Sequence, residues 1–275
     1  MSLVAAIQMA SGPNVKANLI EAGRLIAQAA DQGAKLVVLP ENFAIMGHSE
    51  QDKVKQREGD GQGPIQAFLA EQAARHGVWL AGGTVPLEAA DPAKVRAACL
   101  LFNERGERVA RYDKIHLFDV HIEATGENYQ ESLTIEPGTA APVVDTPFGR
   151  MGLAVCYDLR FPELFRCLLD QGLELLVVPS AFTAITGSAH WEILVRARAV
   201  ENLCYMVAAA QGGYHANGRE THGDSMIVDP WGVVLDRLPR GSGVVMAELD
   251  RDCIDSIRRN FPATDHRRLH CRLPA

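Results

Sequence analysis

The sequence predicts an α/β fold in which two similar halves each contribute a sheet and helices to one layered sandwich. Residues 32–43, QGAKLVVLPENF, are echoed at constant offset by residues 171–182, QGLELLVVPSAF. Both segments are followed, in the same order, by a helical stretch, an apolar strand and a hairpin turn. Because sheets and helices must each bury an apolar face, two stacked sheets with helices outside would satisfy both halves.

The first half reads as helix, strand, helix, strand and hairpin after an opening strand. Asn14 can cap a helix whose apolar residues recur at helical spacing up to Ala29, and Gly33 can end it. The apolar residues 36–39 form a strand that stops at Pro40, which cannot donate to a sheet. Beyond it the pattern predicts a helix over residues 65–76, a strand over 78–81 and a hairpin turn at 103–106.

The second half opens with a cysteine at the break between a strand and a helix. The apolar residues 151–155 are short enough for a buried strand, and Pro162 followed by Glu163 fits the first turn of a helix. At the turn between them, Cys156 would gain solvent access and the field of a helix N-terminus, which can lower a thiol pKa. A small hydrophobe packed at a strand end is the equal alternative. The later elements are a helix over 188–203, a strand over 205–210 and a turn at 229–232.

Length and composition predict one domain over residues 1–275, with a C-terminal arm from about residue 256. The stretch 140–149 between the halves is too apolar for a free tether.

The formal net charge of −7 argues against nucleic acid as a partner. No run approaches the roughly 18 apolar residues of a membrane span, and the N-terminus shows no basic leader, so we expect no membrane association and a cytoplasmic location.

The remaining segments give weaker signals. The six cysteines and nine histidines show no metal-ligand spacing, so neither a metal site nor a disulfide framework is predicted. The charged, glycine-containing loop between Gly47 and Pro64 neither follows a predicted strand nor ends in Gly-Lys-Ser/Thr, and we interpret it as a solvated loop rather than a phosphate loop. The Arg- and His-rich residues 258–272 fit a packing arm better than a binding patch.

Three side chains that could do chemistry fall at loop edges. Glu41 follows a strand, Lys114 follows the hairpin strand of the first half, and Cys156 opens the second half. Each alone has an ordinary explanation: a solvated glutamate, a surface lysine or a packed thiol. Together they supply the base, the cation and the nucleophile that attack on a carbonyl requires.

The motifs around these residues resemble the Glu-Lys-Cys triad motifs of the nitrilase superfamily, the carbon–nitrogen hydrolases. They read LPENF at 39–43, YDKIHL at 112–117 and VCYDLRFPE at 155–163. Their order and intervals fit the family, and the resemblance covers essentially the whole chain. It implies a four-layer αββα sandwich of the nitrilase type with two pseudo-symmetric halves.

The resemblance also implies catalytic roles. Glu41 would be the general base, Cys156 the nucleophile, and Lys114 the stabiliser of the tetrahedral intermediate, aided by the backbone N–H of Tyr157. Glu131 resembles a second glutamate that orients the amide, with a solvated loop carboxylate as the alternative. Attack on a carboxamide would release ammonia or an amine and leave a thioester that water then hydrolyses. No metal or organic cofactor is implied.

Segments of the second half are similar to the Nit branch of this superfamily: SAFT at 180–183, AAAQ at 208–211 and DPWG at 229–232. This similarity implies hydrolysis of deaminated glutathione to 2-oxoglutarate and cysteinylglycine. The first alternative is an ω-amidase that acts on 2-oxoglutaramate. The others are a nitrilase and a non-catalytic binding protein on the same fold.

The candidate substrate-binding residues are Tyr157, Arg160, Ala181, Thr183 and Thr186. Arg160 could receive the substrate carboxylate or, equally, tie the turn after Cys156 to a neighbouring carboxylate. The expected partner is a small-molecule amide, and the family implies a homodimer or a higher homo-oligomer.

Overall fold

The computed structural model describes residues 1–123 and 126–271, and two stacked β-sheets occupy its centre. The strands are β1 (Ser2–Gln8), β2 (Leu36–Val38), β3 (Trp79–Ala81), β4 (Val85–Glu88), β5 (Val95–Phe102), β6 (Arg108–Asp113), β7 (Asp119–Ile122), β8 (Glu127–Gln130), β9 (Val143–Thr146), β10 (Gly149–Leu153), β11 (Leu175–Ser180), β12 (Tyr205–Ala210), β13 (Gly212–Tyr214), β14 (Glu220–His222), β15 (Ser225–Val228), β16 (Val234–Leu238) and β17 (Gly243–Leu249). The helices are α1 (Val15–Asp31), α2 (Gln51–Lys55), α3 (Pro64–His76), α4 (Pro162–Asp170), α5 (Ala184–Asn202) and α6 (Arg251–Asn260), with short 3₁₀ turns at Glu131–Leu133 and Cys156–Arg160.

The predicted internal repeat is present in the sheet topology. The first sheet has the order β17-β1-β2-β3-β5-β4, with β6 beside β5, and the second has the order β16-β15-β12-β11-β10-β9. In each sheet three parallel strands, β1-β2-β3 and β10-β11-β12, are followed by an antiparallel neighbour, β5 or β15. The repeat does not predict β17, which returns from the second half to pair antiparallel with all of β1.

The helices cover the outer faces of the sheets. Helices α1 and α3 lie on the first sheet, and α4 and α5 lie on the second. Along β1, Val4 and Ala6 contribute to the core shared with the second sheet, whereas Ala5 and Ile7 pack with α1. Successive strand residues point to opposite faces, so a strand buried on both faces reads as a continuous apolar run. The four-layer αββα sandwich is therefore confirmed.

Two helix starts show how local chemistry sets the boundaries. The side chain of Asn14 accepts a hydrogen bond from the N–H of Ala17. Helix α1 begins at Val15, directly after this cap, as predicted. Helix α5 begins four residues before the predicted position 188. The hydroxyl of Thr183 caps it by accepting from the N–H of Thr186 at 3.2 Å, a capping signal stronger than the apolar periodicity used for the prediction.

Most residues of the charged loop between Gly47 and Pro64 are exposed, and the loop also contains a short helix. This helix is α2, and the loop ends where the carboxylate of Glu58 accepts from the N–H groups of Ile65 at 2.5 Å and Gln66 at 3.1 Å. A carboxylate of the chain itself thus occupies the N-terminus of α3, the position at which a phosphate would bind.

The C-terminal residues pack on the second half. Helix α6 continues to Asn260, so the arm expected from about residue 256 begins as helix. Arg258 donates to the carbonyl oxygens of Leu203 at 3.1 Å and Leu173 at 2.6 Å, and Arg267 pairs with Asp170. Residues 272–275 lie outside the described part of the arm. None of the helices in the described ranges is both long and apolar enough to cross a bilayer.

Candidate active site

All nine predicted site residues line one cavity at the carboxyl ends of β2 and β10. The carboxyl edge of parallel strands is where ligands of α/β proteins usually bind. The residues brought together are Glu41, Lys114, Glu131, Cys156, Tyr157, Arg160, Ala181, Thr183 and Thr186. Phe118, Phe182 and Arg219 complete the lining and were not identified from the sequence.

Cys156 lies on a sharp turn that one buried carboxylate holds in place. Its φ of 49° falls in the left-handed region, and it begins the 3₁₀ turn that precedes α4. Oδ2 of Asp158 accepts from the N–H of Val155 at 2.8 Å and from the hydroxyl of Tyr112 at 2.7 Å. Oδ1 of Asp158 accepts from the backbone N–H of His116 at 3.1 Å and lies 2.7 Å from Nδ1 of the His116 ring. Asp158 therefore fixes the cysteine turn and the segment carrying the lysine to each other.

The backbones of the other two residues are fixed by hydrogen bonds across the fold. The carbonyl of Glu41 accepts from the side-chain amide of Gln211, which belongs to the second half, at 3.0 Å. The carbonyl of Lys114 accepts from the N–H of Gly138 at 2.9 Å. A side chain at Gly138 would lie 2.1 Å from the carbonyl oxygen of Asp113, so this close approach requires glycine.

Lys114 is a buried cation between two carboxylates. It is 1% exposed, and its Nζ lies 2.8 Å from Oε1 of Glu41 and 3.0 and 2.8 Å from the two oxygens of Glu131. Burial alone would lower the pKa of Lys114, but the charges of Glu131 and Glu41 outweigh it and hold the pKa well above its usual range. The ammonium group is therefore a permanent positive charge inside the cavity.

Glu131 is part of this cluster and not a solvated loop carboxylate. Its side chain is 14% exposed, and Oε2 also accepts from the N–H of Phe118 at 2.8 Å. Burial would raise the pKa of Glu131, but the charges of Lys114 and Lys53 outweigh it and lower the pKa. Lys53 comes from α2, is itself buried, and pairs with Glu50 at 2.6 Å. Lys53 therefore contributes to the site, although most residues of the loop from Gly47 to Pro64 that carries it are exposed.

Of the two alternatives for Cys156, the structure does not show the solvent-accessible thiol with a lowered pKa. The residue is 8% exposed, and burial raises the pKa of the thiol well above its usual range. The negative charge of Glu41 raises this pKa further, against the opposing effects of Lys114 and of the Ala181 N–H, which lies 3.4 Å from Sγ. A thiol with a raised pKa would act as a nucleophile only with a base that removes its proton during the attack.

Arg160 extends into the cavity from the last position of the cysteine turn. Its guanidinium carbon lies 5.3 Å from the ring centroid of Phe182 and 5.8 Å from that of Tyr157, and Nη1 lies 3.2 Å from Nδ1 of His190. Among the described side chains it has no carboxylate within ion-pair distance. The alternative in which Arg160 ties the turn to a carboxylate is therefore not what the structure shows.

Thr183 and Thr186 form a hydroxyl pair on the cavity wall, with their Oγ1 atoms 2.8 Å apart. The hydroxyl of Thr183 is already engaged in capping α5, so that of Thr186 has more capacity for a ligand. Nowhere in residues 1–123 and 126–271 do three or more His, Cys, Asp or Glu side chains form a group suited to a metal ion. A thiol, a carboxylate and a fixed cation in one cavity are suited to acyl transfer.

Comparison with known proteins agrees with this chemistry. Residues 3–259 match the carbon–nitrogen hydrolase family. The chain is 44% identical over 268 residues to the deaminated glutathione amidase of Synechocystis sp., covering 96% of this chain and 97% of that protein. It is 40% identical over 271 residues to the protein of the same name from Mus musculus, covering 98% and 84%.

The crystal structure of Saccharomyces cerevisiae Nit3, a member of branch 10 of the nitrilase superfamily, matches with a TM-score of 0.87 at 32% identity. The match covers 98% of this chain and 97% of that one. The resemblance found in the three sequence motifs is confirmed, and the chain belongs to the carbon–nitrogen hydrolase family.

Proposed function

We propose that this hydrolase cleaves deaminated glutathione into 2-oxoglutarate and cysteinylglycine. Arg160 carries the proposal, because it places a guanidinium with no carboxylate partner among the described residues on the same turn as the nucleophile. Such a group suits the carboxylate of a 2-oxo acid whose distal carbonyl reaches the thiol. The two relatives named above as deaminated glutathione amidases support the same substrate.

The first half of the reaction forms a thioester. Sγ of Cys156 attacks the amide carbonyl carbon while Glu41 takes the thiol proton. The oxygen that becomes negative is stabilised by Nζ of Lys114 and by the N–H of Tyr157, which lies in the first turn of a 3₁₀ helix, where N–H groups have no acceptor within the helix. The C–N bond then breaks, and Glu41 returns the proton to the leaving amine.

The second half releases the acid. A water molecule gives a proton to Glu41 and attacks the thioester carbonyl, and the same two donors stabilise the second tetrahedral intermediate. The C–S bond breaks, Cys156 regains its proton from Glu41, and the carboxylic acid leaves. Glu131 holds the Lys114 ammonium group through both halves with contacts of 2.8 and 3.0 Å and helps to orient the amide.

The test is a comparison of two amides of 2-oxoglutarate. Deaminated glutathione and 2-oxoglutaramate are supplied separately, and 2-oxoglutarate is quantified in a coupled assay, with Cys156→Ala as the blank. We expect kcat/KM for the peptide-bearing amide to exceed that for 2-oxoglutaramate by about tenfold or more. A preference for 2-oxoglutaramate would instead make the chain an ω-amidase, and no release from either would refute both substrates.

We also propose that the chain forms a homodimer through α5. Ile185, Ile193 and Val200 are exposed large apolar residues at spacings of about two helical turns, so they form one stripe on the outer face of this helix. Light scattering on the purified protein is expected to give about twice the chain mass of 29.9 kDa. Ile193→Glu is expected to halve that mass, and a monomeric wild-type protein would contradict the proposal.

A further inference from the structure

Arg219 is a second arginine in the catalytic cavity, and it is linked to the nucleophile through the backbone of one residue, Ala181. It lies between β13 and β14, at the start of β14. Its Nη2 donates to the carbonyl oxygen of Ala181, and the N–H of Ala181 faces Sγ of Cys156 at 3.4 Å. A group bound to this guanidinium would therefore lie beside a substrate attached to the thiol.

The hydrogen-bonding capacity of Arg219 is largely unused. Its Nε is buried without a hydrogen-bond partner, and no ion pair to it occurs within the described ranges. Glu50 is close enough for the charge of Arg219 to lower its pKa, although Lys53 has the larger effect and holds the carboxylate in an ion pair. Arginine offers five donors in a planar fork, and leaving a buried donor unpaired costs free energy. An anionic ligand would satisfy it.

The surroundings of Arg219 differ from those of Arg160. The guanidinium carbon of Arg219 lies 5.1 Å from the ring centroid of Tyr129 in β8, and residues 216–218 next to it are exposed to solvent. Arg160, by contrast, lies on the cysteine turn beside α5. The two cations are thus supplied by different elements, one from the turn that holds the acyl group and one from the solvent-facing hairpin.

Building on the proposed function, we infer that Arg219 binds a carboxylate carried by the leaving amine. The acyl portion must stay at Cys156 while the amine departs, and the hairpin that carries Arg219 has solvent-exposed residues at 216–218. Deaminated glutathione carries one carboxylate on the 2-oxo acid and one on its terminal glycine, whereas 2-oxoglutaramate carries only the first. Arg219 would therefore select peptide-type amides with an anionic end.

The experiment compares deaminated glutathione with its C-terminal carboxamide, which differs only in the charge at the glycine end. In the wild-type protein, kcat/KM for the acid is expected to exceed that for the carboxamide. Arg219→Gln is expected to reduce this ratio by about 10- to 100-fold, the range for a charge-assisted pair. Arg219→Lys retains the charge without the fork and is expected to give an intermediate ratio.

Arg160→Gln is the matched control, since it removes a cation facing the same cavity. It is expected to lower kcat/KM for both substrates and to leave their ratio within about threefold. The inference is overturned if Arg219→Gln keeps the wild-type ratio, or if Arg160→Gln abolishes the preference for the acid instead. It is also overturned if Arg219→Lys gives the same ratio as Arg219→Gln. An inactive wild-type protein would refute the proposed function itself, so the two failures can be told apart.

Discussion

Glu41→Gln is expected to lower kcat by about 10²- to 10⁴-fold, the usual contribution of a general base, while making the Cys156 thiol more acidic. Burial and the Glu41 charge both raise the pKa of this thiol, and the substitution removes the second of these effects. The variant should therefore hold more thiolate at a given pH and still hydrolyse its substrate slowly. Loss of activity together with a lower thiol pKa would distinguish a general base, which takes the proton during the attack, from a residue that only favours the thiolate.

Two measurements test this expectation. Substrate turnover gives kcat, and the pH dependence of iodoacetamide labelling at Cys156, followed by peptide mass spectrometry, gives the change in thiol pKa. Glu163→Gln provides a matched control because Glu163 is an exposed carboxylate in the first turn of α4, and we expect both quantities to stay near wild type. Unchanged turnover in Glu41→Gln, or a higher thiol pKa, would contradict the assigned role.

Lys114→Met is expected to destabilise the fold by about 3–5 kcal/mol at neutral pH, in addition to removing the cation that we propose stabilises the intermediate. Lys114 is buried against two carboxylates, and removing one partner of a buried ion pair leaves uncompensated charge. Methionine has a similar length and creates no large cavity, so the decrease in the free energy of unfolding reports on the lost charge. Urea unfolding at pH 7 measures it.

The variant should respond to pH between 8 and 5, a range in which Glu131 gives the wild-type protein almost no pH dependence. In the wild-type protein the pKa of Glu131 is lowered, so its stabilising effect is present above the unfolded pKa near 4.5 and is lost as the pH falls through the lower folded value. Without Lys114 we expect the buried carboxylates to have raised pKa values, so lowering the pH from 8 to 5 should stabilise the variant. Lys55→Met, at an exposed ion pair, should stay within about 0.5 kcal/mol of wild type and keep the wild-type trend.

Much of the fold could be predicted because the information is local. The repeated segments ending at Phe43 and Phe182 set two strands, and Asn14 and the 229–232 turn set element boundaries through short-range hydrogen bonds and backbone preferences. The pairing of β17 with β1 could not be predicted, because it joins residues at opposite ends of the chain and leaves no periodic signal.

The candidate site, too, could be predicted only in part from the sequence. The motif residues could be proposed from their types and positions, and the structure places them in one cavity, whereas their roles stay predictions. Arg219 follows an Asn-Gly dipeptide, a hairpin signal, but the sequence does not say which cavity that hairpin borders. The raised thiol pKa likewise depends on how deeply the turn is buried and on the nearby Glu41, which only the packed structure establishes.

The division of the candidate catalytic groups between the two halves of the chain has a consequence for the newly made protein. Glu41 and Lys114 belong to the half that emerges first from the ribosome, and Cys156 opens the half that follows. Until the sheets stack, the chain holds a base and a cation without a thiol, or a thiol far from both. The proposed hydrolytic activity therefore requires both halves to be folded and stacked, because only then do the three side chains meet in one cavity.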